Sequence, residues 1–137
     1  YNDPFTVINC LDWLGVSLCD LAGRQIHSPN HYGANRQIRA IEDPIYYSRF
    51  VEIAFNKFHH TIDEHADVIV HMLKTIAVIA GCIHRKEDKE ALLKQANAFD
   101  EAAHRKLTGS NLQRIEVQYQ ATLRALVKAV PQVSETD

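Results

Sequence analysis

Histidine is the residue type with the clearest capacity for chemistry in this 137-residue chain, which contains eight of them. His71 lies in the most apolar stretch of the chain, where an imidazole without a partner costs about 1–3 kcal/mol. This ring therefore needs a hydrogen bond, a metal or a ligand. His104 borders a second apolar stripe, formed by Phe99, Ala103 and Leu107. Because two antiparallel helices can direct such rings at each other, we expect His71 and His104 to face a common cavity.

A second set of candidate ligands combines histidines with acids. Glu101-Ala102-Ala103-His104 has the Glu-x-x-His spacing of carboxylate-bridged di-iron bundles. Carboxylates and imidazoles that point inward suit iron or manganese. The second Glu-x-x-His and the paired bridging glutamates are missing, so a non-haem metal bundle is an alternative hypothesis. Four potential ligands share one helix face at i, i+4, i+7 and i+11: His60, Glu64, Asp67 and His71.

Composition and motifs narrow the function classes. The net charge of −2 provides no basic field for nucleic acid. The sequence has no glycine-rich phosphate loop, no GxSxG and no HExxH, which favours a binding protein over an enzyme. Cys10, Cys19 and Cys82 form no CxxC pair, and we expect three reduced, mostly buried thiols. Such thiols favour a reducing compartment, which predicts a cytoplasmic protein.

Membrane insertion is not expected from the longest apolar stretch, residues 68–83. His71, Lys74 and Thr75 interrupt it, and it is shorter than the roughly 20 apolar residues that a span requires. The first residues lack the basic start of a signal peptide. These observations predict a soluble chain with no membrane contact.

Helix start and stop signals divide the chain clearly. Starts are predicted at Asp3-Pro4, Asp43-Pro44, Thr61–Glu64 and Ser110–Gln113, and stops at Gly23, Gly109 and Pro131. Apolar residues recur at helical spacing between these signals, and no strand pattern competes with them. Residues 24–33 read as a loop and residues 34–42 as a short helix. The sequence predicts an all-α fold with about five to seven helices in one domain, residues 1–137.

The order of several residues resembles the globin family. Trp13 is similar to the tryptophan of the first globin helix, and Gly33 to the glycine at a close helix crossing. Asp43-Pro44 followed by Phe50 resembles the start of the third helix and the phenylalanine on the haem. His71 follows Phe50 by 21 residues and His104 follows His71 by 33, near the spacing of the distal and proximal histidines. The resemblance covers roughly residues 10–130.

A globin resemblance implies globin-like packing, a haem cofactor, and reversible binding, transport or sensing of a small diatomic ligand such as oxygen. In that arrangement His104 ligates the iron, and His71 is the distal residue and a potential sixth ligand. His65, which lies on a cleaner apolar stripe, is the alternative distal residue. Phe50 packs on the porphyrin, and the apolar walls of the haem pocket are formed by Leu73, Ile76, Phe99 and Leu107.

A cofactor-free helical interaction or sensor module is the third hypothesis. In that case the aromatic residues between positions 46 and 58 are ordinary core residues. They could equally pack against a second copy of the chain in a homo-oligomer. These aromatic residues are Tyr46, Tyr47, Phe50, Phe55 and Phe58.

Overall fold

The computed structural model describes residues 3–23, 47–59 and 65–129, and every regular element in these ranges is an α-helix. The elements are α1 (Pro4–Gly23), α2 (Tyr47–His59), α3 (Ala66–Ala80), α4 (Lys86–Lys106) and α5 (Gly109–Ala129). The all-α prediction is confirmed for the described residues. Globin-like packing is not confirmed. The predicted loop at 24–33, the short helix at 34–42, and the start signals at Asp43-Pro44 and Thr61–Glu64 lie outside the described residues.

The start of α1 follows directly from its first residues. The Asp3 carboxylate accepts hydrogen bonds from the backbone N–H of Phe5 and the hydroxyl of Thr6, both at 3.2 Å. Pro4 occupies the first helical position, where its missing N–H costs nothing. The helix therefore begins where the Asp3-Pro4 pair predicts.

Helix α3 is the centre of the bundle. It packs against α1, α4 and α5, while α2 packs mainly on α4. Nine of its 15 residues are buried, including Met72, Leu73 and Ile76. On the α5 side, the buried Thr122 hydroxyl donates to the Leu73 carbonyl at 2.9 Å. A helix this apolar is stable in water only because its neighbours cover it.

Helix α4 presents an apolar stripe to the core and charged residues to solvent. Leu92, Ala96, Phe99 and Ala103 are fully buried at the spacing of one helix face. Gly109 then has a φ of 66°, a backbone conformation that side chains with a Cβ rarely adopt. This glycine lets the chain turn from α4 into α5.

Candidate functional site

The two predicted site histidines each bind an acidic residue on a neighbouring helix. His71 is half-buried on α3, and its Nε2 donates to the Asp12 carboxylate of α1 at 2.7 Å. His104 is exposed on α4, and its Nε2 donates to the Glu116 carboxylate of α5 at 3.0 Å. The hydrogen-bond need of His71 is therefore met by a carboxylate on the side of α3 that faces α1.

Hydrogen bonds at both ring nitrogens favour the protonated form of His104. Its Nδ1 donates to the backbone carbonyl of Asp100 at 2.8 Å, while its other nitrogen donates to Glu116. Both ring nitrogens can donate only in the imidazolium. The Asp100 carbonyl, then the Glu116 carboxylate, raise the pKa of His104 above 6.5. The residue thus links α4 to α5.

The predicted pocket walls are divided between core and surface. Leu73, Ile76 and Phe99 are fully buried, Leu107 is partly buried, and Phe50 is exposed on α2. The Phe99 ring is covered by protein: His59 stacks on it at 4.1 Å between ring centroids. The assignment of haem to these residues stays an untested prediction.

The metal-bundle alternative gains no ligand cluster from the described part of the chain. Residues 3–23, 47–59 and 65–129 hold no group of three or more histidine, cysteine or acidic side chains placed to bind one metal ion. Asp67 instead accepts a hydrogen bond from Arg114 of α5 at 2.6 Å. His60 and Glu64 lie outside the described residues.

Helix α1 holds none of the residues predicted for the site, yet it packs on α3, the helix that carries His71. Its inner stripe consists of Leu11, Gly15 and Leu18, which are buried against α3. A Cβ at Gly15 would lie 3.1 Å from the Thr75 methyl group, so this glycine is what allows the close approach of α1 to α3. The Asp12–His71 pair joins the same two helices at the edge of that contact.

The outward face of α1, defined here as Phe5, Trp13 and Val16, exposes large apolar side chains. Their exposed fractions are 77%, 75% and 66%. By length and composition α1 is apolar enough to cross a membrane, yet only 17% of its most apolar stretch is buried within the protein. Core helices of water-soluble bundles hide such residues, so this face is available for a contact outside the bundle.

The last turn of α1 lies beside the turn that follows α3, and two thiols meet there. Cys19 and Cys82 are both half-buried, whereas Cys10 is exposed on α1. The prediction of mostly buried thiols was therefore wrong for Cys10. The Tyr47 hydroxyl of α2 donates to the Leu18 carbonyl at 2.9 Å and fixes the same end of α1.

Comparison with known families tests the identification as a globin. The family model described as "Predicted membrane protein (DUF2254)" matches residues 1–78, more than half of the 137-residue chain. The chain belongs to this family. The matched residues include α1, α2 and most of α3. No curated protein and no solved structure matches the chain.

Membership of this family corrects several expectations. The identification as a globin was wrong, and with it the function of carrying or sensing a diatomic gas. The expectation of no membrane contact and of a cytoplasmic location was also wrong, because the family is described as predicted membrane proteins and α1 is a candidate span. In the sequence, the signal for membrane contact is the set of apolar residues of α1 outside its inner stripe. The prediction considered only residues 68–83 as a possible span and therefore overlooked α1.

Proposed function

We propose that the chain is a helical domain that contacts a membrane surface through the outward face of α1. The observation that carries the proposal is the exposure of Phe5, Trp13 and Val16 on a helix whose other face is fixed to α3. Membership of a family of membrane proteins supports lipid as the partner of this face. Tryptophan is also enriched at the level of the lipid headgroups.

Charge favours a helix that lies on the membrane over one that crosses it. A carboxylate at the bilayer centre costs about 3 kcal/mol, and α1 carries two exposed ones, Asp12 and Asp20. A crossing α1 would also bring α3 and the charged helix α4 towards the hydrocarbon, because these helices pack together. At the headgroup level the carboxylates stay hydrated, which removes this cost.

The strength of the contact follows from three side chains. Complete burial of a large apolar side chain contributes about 1.5–3 kcal/mol, and Phe5, Trp13 and Val16 enter the interface only in part. A total of roughly 4–6 kcal/mol corresponds to weak, reversible binding, since 4.1 kcal/mol equals a dissociation constant of about 1 mM. Because α1 contains no lysine or arginine, anionic lipid is not expected to strengthen the binding.

Trp13 makes the proposal directly measurable because it is the only tryptophan in the chain. The purified protein is titrated with phosphatidylcholine vesicles whose acyl chains are brominated at a shallow or a deep position. We expect a blue shift of the tryptophan emission and stronger quenching by the shallow bromines. Two exposed valines provide matched variants: Val16→Asp on α1 should weaken binding about tenfold, whereas Val127→Asp on α5, where the valine is 69% exposed, should not.

Each alternative result contradicts a defined part of the proposal. Stronger quenching by the deep bromines would show that α1 crosses the membrane. Unchanged emission at saturating lipid would show that the outward face does not contact lipid at all. Equal effects of Val16→Asp and Val127→Asp would show that binding does not depend on α1.

A further inference from the structure

Two cysteines from distant parts of the sequence share one hydrogen-bond acceptor. The Sγ atoms of Cys19, on α1, and Cys82, after α3, each donate to the Val78 carbonyl at 3.8 Å. The two thiols therefore lie beside the same carbonyl oxygen. Sixty-three positions separate them in the chain, so their contact is a product of the fold.

We propose that Cys19 and Cys82 form a reversible disulfide that fixes the last turn of α1 to the end of α3. This proposal is independent of lipid binding, because it concerns the inner side of α1. The third cysteine, Cys10, is nine residues before Cys19, or about 13 Å along the helix. A disulfide links Cα atoms that are roughly 4.4–6.8 Å apart, so Cys10 and Cys19 are too far apart along α1 to form a disulfide with each other.

The reaction is a two-electron thiol–disulfide exchange with a small disulfide such as oxidised glutathione. Burial and the neighbouring Cys82 thiol raise the pKa of Cys19 to about 12. Because the thiolate is the nucleophile, Cys82 makes the first attack. It loses its proton to solvent and displaces one glutathione thiolate, which is protonated. Cys19 then loses its proton, attacks the Cys82 sulfur of the mixed disulfide and displaces the second glutathione.

The disulfide would stabilise the protein mainly by restricting the conformations of its unfolded state. It closes a long loop, and the chain-entropy model gives long loops the larger stabilisation. We expect oxidation to raise the melting temperature by several degrees. The hydrogen bond from the Tyr47 hydroxyl to the Leu18 carbonyl also holds this end of α1.

The test uses the Cys10→Ser variant, which retains only the proposed pair. The protein is equilibrated in glutathione buffers of increasing oxidised fraction, alkylated, digested with trypsin and examined by mass spectrometry without reduction. The expected product is a linked pair of peptides, residues 1–24 and 75–85, with a mass two hydrogens below their sum. The matched control, Cys82→Ser, retains Cys10 and Cys19 and should give no intramolecular link.

Three results would overturn the proposal. The first is a glutathione adduct on Cys82 that persists because Cys19 does not displace the glutathione. The second is disulfide formation only between two chains. The third is a melting temperature of Cys10→Ser that does not change on oxidation. The Cys19→Ala variant keeps the assay informative, because it should trap the mixed disulfide on Cys82 whether or not the membrane contact exists.

Discussion

The close approach of α1 to α3 at Gly15 gives the sharpest energetic prediction. Alanine is favoured over glycine in a helix interior by roughly 1 kcal/mol. At position 15, however, the new Cβ would lie 3.1 Å from the Thr75 methyl group, whereas carbon atoms prefer about 3.5–4.0 Å. The Thr75 hydroxyl donates to the His71 carbonyl at 2.8 Å, which holds that methyl group in place. Overpacking of this kind costs about 1–3 kcal/mol.

Gly15→Ala should therefore lower the free energy of unfolding by about 1 kcal/mol, as the difference between these two opposing effects. In a Thr75→Ser background the methyl group is absent and the hydroxyl is retained. There the same substitution should raise the free energy of unfolding by about 0.5–1 kcal/mol. The coupling between the two positions should be about 1.5–2 kcal/mol.

Urea unfolding of the four proteins, followed by far-ultraviolet circular dichroism and Trp13 fluorescence, measures this coupling. Gly23→Ala is the control, because nothing lies within 4 Å of a Cβ at the last residue of α1. Its effect should be the same in both backgrounds. If Gly15→Ala also has the same effect in both, the reasoning that the Thr75 methyl group limits the approach of α1 is refuted.

Three further predictions concern the other helix contacts. Thr122→Val removes the hydroxyl that donates to the Leu73 carbonyl and should cost about 1–2 kcal/mol in urea unfolding, whereas Thr122→Ser should retain most of the stability. Glu116→Gln should lower the pKa of His104 in an NMR titration. Because the folded pKa is raised, the stabilisation by His104 is complete below 6.5 and lost as the pH rises through the folded pKa. The difference in free energy of unfolding between wild type and Glu116→Gln should disappear as the pH rises through the folded pKa of His104. A difference that is independent of pH would contradict the pairing of His104 with Glu116. Phe99→Ala leaves a cavity in the core and should cost about 3–5 kcal/mol, seen as a lower melting temperature.

The sequence predicted helices well because helix periodicity and capping are local properties. Asp3-Pro4 predicted the start of α1, and the apolar stripe of Phe99, Ala103 and Leu107 predicted the buried face of α4 at Phe99 and Ala103. Capping and periodicity do not depend on which helix packs against the element.

The functional site could not be predicted in the same way, because spacing along the chain does not determine which helices meet. The 33 residues between His71 and His104 suggested a shared cavity, yet the two rings bind carboxylates on α1 and α5. The contact of Cys19 with Cys82 depends on how α1 packs on α3, which no local pattern encodes. The exposed apolar face of α1 could have been predicted from the sequence, because α1 contains more apolar residues than one buried stripe requires.

The position at which the family match ends has a consequence for the folding of this chain. The match stops at residue 78, two residues before α3 does, and excludes α4 and α5. A fragment of residues 1–78 would leave Leu73 and Ile76 without the helices that shield them from water. We therefore expect a peptide cut at the boundary of the family match to expose this apolar face of α3 and to aggregate in water.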